Sequence, residues 1–116
     1  MPDRLGDSIR LQHILDAIWE INRYVQGVEH STFVADSMMY NATLRQLEVI
    51  GEASSRLSIT LTQENDQVPW AQIVGLRNLV IHEYFGVDDM MIWNIVQHDL
   101  PELKEKVQII VDKLNT

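Results

Sequence analysis

Apolar residues recur along the chain at intervals of three and four, the pattern of helices that each bury one face. Leu11, Ile14, Ile18, Ile21 and Val25 form the first stripe, with Leu15 beside it and Gly27 just past its end. A glycine in that place is a natural stop, so the pattern predicts a helix from about Leu5 to Gln26. Thr32 can cap a second helical region, with a brief turn before Asp36 restarts it. Its stripe is Leu47, Ile50, Ser54, Leu57 and Leu61, and Gly51 lies next to it. A glycine inside a helix weakens it by about 1 kcal/mol unless close packing offsets the loss, so another helix is expected to cross there.

Thr62 to Val68 is polar and reads as a loop. Pro69 suits the first turn of a third helix, which should run to about Tyr84 or Phe85 and end at Gly86. Asp88 or Asp89 can cap a short fourth helix holding Ile92, Trp93 and Val96. Asp99 is expected to open the last helix, with Glu102 completing a capping box and Pro101 in the first turn. Leu100, Leu103, Val107, Ile110 and Leu114 then give a strongly amphipathic face. No run alternates like a strand. The expected fold is all-α, an up-and-down bundle of four or five helices forming one domain over residues 1–116.

Composition narrows the function classes. With 46% hydrophobic residues in 116, there is material for one core and no room for a second domain. The absence of cysteine rules out a disulfide framework and a thiolate metal site. The N-terminus lacks a signal-peptide pattern, and no stretch nears the roughly 18 apolar residues of a membrane span, so a soluble cytoplasmic chain is expected. The net charge of -8 argues against broad electrostatic attraction to nucleic acid, while leaving room for one locally basic cleft.

Candidate chemistry is concentrated in Arg77-Asn78-Leu-Val-Ile-His82-Glu-Tyr84, where a cation, an amide, an imidazole and a phenol fall within two turns. RNA cleavage without a metal needs a base for the 2'-hydroxyl proton and a cation for charge developing around phosphorus. Histidine titrates near neutrality and suits the first task; arginine offers a permanently charged fork of donors for the second. At 100° per residue, however, Arg77 and His82 stand about 140° apart on a helix, whereas Asn78 aligns with His82 and Arg77 with Tyr84. Either the arginine wraps round the helix or a second copy supplies the missing group, which favours a composite site across a two-fold axis. Taken alone, an arginine five residues before a histidine is a common coincidence, and Tyr84 alone reads as a half-buried residue with its hydroxyl at the rim.

The wider pattern carries more weight. The string from Arg77 to Tyr84 resembles the R-x4-H-x-Y signature of HepT-like ribonuclease toxins, a branch of the HEPN superfamily. Leu47-Glu-Val-Ile-Gly-Glu-Ala53, Pro69-Trp-Ala-Gln-Ile-Val-Gly-Leu-Arg77 and Asp99-Leu-Pro-Glu-Leu103 are similar to their surroundings in that family, in the expected order. The resemblance implies a helical homodimer whose Arg77 and His82, from both subunits, line a cleft for metal-independent RNA cleavage, with Asn78 orienting His82 or a phosphate oxygen. It further implies a toxin encoded beside a minimal nucleotidyltransferase (MNT) antitoxin that transfers AMP from ATP to Tyr84.

Other residues have plainer readings. His13, His30 and His98 lack the paired spacing of metal ligands and read as surface or helix-end histidines. Asp88-Asp89 reads as a helix cap. Arg45, Glu48, Glu52 and Arg56 form a charge ladder along one side of the second helix, by default solvated; the close contact expected at Gly51 makes Glu48 or Glu52 a candidate to orient Arg77. Trp19, Trp70 and Trp93 fall near apolar stripes and are expected in the core or a dimer interface, and Met38-Met39 is read as a packing or interface feature. The competing functions are an endoribonuclease, a non-catalytic interaction subunit that regulates a nucleotidyltransferase, and a plain dimerisation bundle. An adaptor has no physical need for Arg77, Asn78, His82 and Tyr84 together, whereas the acidic pI of about 4.7 favours the adaptor.

Overall fold

The structure, a computed structural model, describes residues 4–83 and 88–116, with the side chains of 80–83 outside the description. The first stripe becomes α1 (Arg4–Val25), and Gly27 follows it with a positive φ of 70°, a backbone state that glycine adopts without steric cost. The restart at Asp36 is also as read: α2 (His30–Ala35) ends there, and the Asp36 carboxylate accepts the Met39 N–H at 3.0 Å to cap α3 (Ser37–Ser55).

Four boundaries differ from the sequence reading. Thr32, expected to cap the second helical region, lies inside α2, whose N-cap is Glu29. The second helix, read as continuing through Leu61, stops at Ser55, and a separate α4 (Ile59–Glu64), capped by Ser58 Oγ on the Leu61 N–H and held down by the buried Leu61, runs into the first residues of the expected loop. The third helix is divided at Gly75 into α5 (Trp70–Val74) and α6 (Leu76–Glu83). Asp99 opens no helix. α7 (Asp89–Asn94) passes through a π-helical turn (Ile95–Asp99) directly into α8 (Leu100–Leu114), and the Leu100 N–H reaches back five residues to the Ile95 carbonyl. Pro101 has no N–H and its ring crowds the carbonyl four residues earlier, so the wider turn falls where a regular ladder cannot be completed. Asp99 has helical dihedrals and makes no side-chain cap. Asp88, by contrast, caps α7 through the Met90 N–H at 2.9 Å.

Among the described residues every regular element is helical, and the chain is an all-α bundle. Leu11, Ile14, Ile18 and Ile21 of α1 meet Leu47 and Ile50 of α3, all fully buried. Leu100 and Val107 complete the core from α8. Hydrogen bonds fix the directions. Asp7 at the start of α1 binds Ser58 just after α3, and Gln46 donates to the Tyr24 hydroxyl near the other end, so α1 and α3 run antiparallel. Arg4 donates to the Leu114 carbonyl at 3.0 Å, setting α8 antiparallel to α1 as well. No described helix is long and apolar enough to cross a membrane.

Two contacts organise this frame. The buried Asp7 carboxylate accepts both the Ser58 N–H (2.8 Å) and its hydroxyl (2.6 Å), joining the first turn of α1 to the cap of α4. At Gly51, a Cβ would stand 2.9 Å from the Arg77 backbone nitrogen and 3.2 Å from the Ile73 carbonyl oxygen. The crossing expected from that glycine is therefore made, by α5 and α6 lying directly on the α3 backbone.

Asp7→Ala should lower unfolding free energy by about 1–3 kcal/mol, the cost of leaving part-buried donors without an acceptor, measured by urea denaturation. Gly51→Ala should destabilise by about 1–3 kcal/mol through overpacking, despite alanine's better helix propensity. A gain in stability in the same measurement would show that the two backbones do not need the missing methyl group.

Candidate active site

Arg77 enters the site from the first turn of α6, where the contact with Gly51 fixes its backbone against α3. The next residue of α3, Glu52, receives the guanidinium: Arg77 Nη1 donates to Glu52 Oε2 at 3.1 Å and approaches Ser55 Oγ at 3.5 Å. Glu52 also accepts Arg56 Nε at 3.0 Å. The Arg77 guanidinium first, and Arg56 second, hold the Glu52 carboxyl below its ordinary range. Both partners are partly exposed, at 41% for Arg77 and 46% for Glu52, so water screens the pair and its main effect is orientation rather than stability.

Of the two acidic candidates, then, Glu52 orients Arg77. Glu48 instead pairs with Arg45 one turn away, so the remainder of the charge ladder forms as read. These side chains border a groove of about 730 Å³ between α1 and α3. Arg10 and His13 enter it from α1, Arg45 and Arg56 from α3, and Arg77 from α6. The sequence reading left Arg10 aside and took His13 as a surface histidine. The available signal was their three-residue spacing on the polar flank of the first stripe, which is meaningful only once α3 is known to lie alongside.

Asn78 is exposed on α6, one residue beyond Arg77. His82 falls on the same helix, with its side chain outside the described residues, and Tyr84 lies outside them altogether. Because α6 runs without interruption from Leu76 to Glu83, the angular separation of about 140° between Arg77 and His82 applies. Elsewhere, His30 starts α2, where its Nε2 is 3.6 Å from Asp89 and its ring meets Trp93 edge-on at 5.8 Å. Trp93 and Trp70 pack on the core, whereas Trp19 is 60% exposed beneath the Arg23 guanidinium, outside the core. Met39 packs on the core and Met38 is exposed.

Comparison with known proteins bears on the whole of this arrangement. The HepT-like family, described as ribonuclease HepT-like, matches residues 14–110. A candidate RNase of Methanocaldococcus jannaschii is 36% identical over 100 residues, covering 86% of this chain and 92% of its own. One from Caldanaerobacter subterraneus subsp. tengcongensis is 38% identical over 103 residues, covering 89% and 92%. A candidate ribonuclease HepT of Thermococcus cleftensis is 34% identical over 98 residues, covering 84% and 89%. No solved structure gives a significant match. The helical bundle, the Arg77-to-Tyr84 string and relatives that align over nearly their full length lead to one assignment: the chain belongs to the HepT-like ribonuclease family.

Proposed function

We propose that the protein is a metal-independent endoribonuclease, the toxin of a type II toxin–antitoxin pair, acting as a homodimer in the cytoplasm. The observation that carries this reading is the Arg77 guanidinium, held by Glu52 at an arginine-lined groove and rooted on the same helix as His82. A cation so fixed needs no reorganisation when charge develops on a phosphate, which is the property transition-state stabilisation requires.

In the proposed reaction, His82 takes the proton of a ribose 2'-hydroxyl and the freed oxygen attacks the adjacent phosphorus. Arg77 stabilises the equatorial oxygens, with Asn78 orienting His82 or one of those oxygens. The 5'-oxygen departs with a proton from the His82 of a second copy, leaving a 2',3'-cyclic phosphate. The separation of Arg77 and His82 around α6 supports this composite arrangement, because two copies related by a two-fold axis can each supply what the other's helix turns away. Glu52, with its carboxyl held low, remains ionised through the neutral range and releases Arg77 only as pH falls through that lowered value. Loss of the Glu52–Arg77 contact therefore does not set the acid limb of cleavage.

Neutralisation follows from Tyr84. A minimal nucleotidyltransferase (MNT) antitoxin would present ATP to the phenol; the phenol oxygen attacks the α-phosphorus, pyrophosphate leaves and the phenol proton passes to a base on the antitoxin. Each attached AMP adds negative charge where Arg77 must meet RNA. The acidic pI favours the alternative of a non-catalytic regulatory subunit, but the arginines gathered in one groove offset that argument locally.

His82→Ala should abolish RNA cleavage with the fold intact by circular dichroism, and Arg77→Ala should lower it about a hundredfold or more. Cleavage should continue in EDTA and leave 2',3'-cyclic ends; inhibition by EDTA would remove the metal-free mechanism. Tyr84→Phe should keep ribonuclease activity and gain no AMP, by mass spectrometry, when incubated with the cognate nucleotidyltransferase and ATP. Equal labelling of this variant, or a fully labelled wild type that still cleaves, would show that Tyr84 is not the switch.

A further inference from the structure

The charge of this chain is unevenly distributed. Four of its six arginines, Arg10, Arg45, Arg56 and Arg77, line the groove between α1 and α3, against two Asp or Glu residues among those described, Glu48 and Glu52. Helical spacing produces the arrangement: Arg10 and His13 are three apart on α1, while Arg45, Glu48, Glu52 and Arg56 follow at three and four along α3. From Arg45 to Arg56 the row extends about 16 Å at 1.5 Å per residue, too far for a single phosphate to bridge.

Arg45 and Arg56 remain available to a ligand. Arg45 is 69% exposed and Arg56 65%, each in an exposed ion pair of the kind that contributes little to stability and exchanges readily with another anion. Between the two rows the floor is apolar, with Ile9 half exposed and Val49 partly buried. Among the described residues no Phe, Tyr or Trp lines the groove, so these residues offer no aromatic platform on which a base would stack.

We propose that this groove is a binding track for single-stranded RNA flanking the cleaved bond, its arginines taking successive phosphates and its apolar floor taking the ribose faces. The track leads to Arg77 and rests on the ribonuclease reading for what happens there. Recognition through the backbone, without base stacking, makes it tolerant of sequence.

The test separates binding from cleavage. The probe is a short single-stranded RNA methylated at every 2'-oxygen, which the enzyme cannot cut, and anisotropy gives Kd across a salt series. The double variant Arg10→Gln/Arg45→Gln leaves the Glu52–Arg77–Arg56 contacts in place. It should weaken binding about tenfold or more and reduce the slope of log K against log salt by about 1.4, two contacts at roughly 0.7 each for a single strand. Lys104→Gln, at an exposed position on α8 outside the groove, should leave affinity and slope unchanged. Arg45→Ala, with thermal melting as a check on folding, provides a second route to the same loss. Wild-type affinity and slope in the folded double variant would overturn the proposal. So would a shift of the variant toward monomer in sedimentation with RNA binding intact, which would make the groove a seat for a second copy. Arginine-dependent binding by a wild type that never cleaves unmodified RNA would sink the ribonuclease reading and leave the track standing.

Discussion

The absence of a side chain at Gly51 sets the distance between α3 and the α5–α6 pair, and the rest of the site follows from that distance. With the Arg77 nitrogen and the Ile73 carbonyl almost on the α3 backbone, the residue after the glycine comes within hydrogen-bond reach of the guanidinium. Glu52 therefore serves two arginines, one on its own helix and one on its neighbour, and joins an ordinary surface ladder to the candidate catalytic group. A methyl group at position 51 would separate the helices and break that junction. Helix propensity is thus given up at one residue to hold a charge in place at another.

The same crossing explains how an acidic protein supports a locally basic surface. Net charge governs long-range attraction, but a bound phosphate responds to the groups within a few ångströms. Helical rows concentrate such groups: every third or fourth residue of α1 and α3 faces the shared groove, and four of those along α1, α3 and α6 are arginines. Glu48 and Glu52 hold Arg45, Arg56 and Arg77 in ion pairs.

Helix periodicity also constrains the proposed chemistry. Two residues five apart on an unbroken helix cannot both face one point, so Arg77 and His82 of a single copy are ill-placed for one phosphate without help. Duplication across a symmetry axis is the least demanding remedy for a chain of this size, since it needs no further residues. In the sequence Tyr84 stands seven positions from Arg77, the spacing of a shared helix face, which is why a modification there is proposed to compete with substrate.

Much of this was legible in the sequence, because helices of this kind are written in a local period. The stripes of α1, α3 and α8, the caps at Asp36 and Asp88, the stop at Gly27 and the crossing at Gly51 all rest on residues within a few positions of one another. The Arg77-to-Tyr84 string and its family resemblance were local in the same sense. What the tertiary structure decided are relations between residues far apart in the chain. Asp7 binds Ser58, fifty-one residues later, and that contact supports a separate helix, α4, where the periodicity reads as the second helix continuing to Leu61. The π-helical turn before Pro101 removes a capping box whose residues were all present, because α7 was already running into α8. Glu52 and Glu48 were equal candidates by spacing, and only the angle at which α6 crosses α3 distinguishes them. Arg10 joins the groove for the same reason: sequence periodicity tells which side of a helix a residue occupies, while the packing of buried faces determines what that side meets.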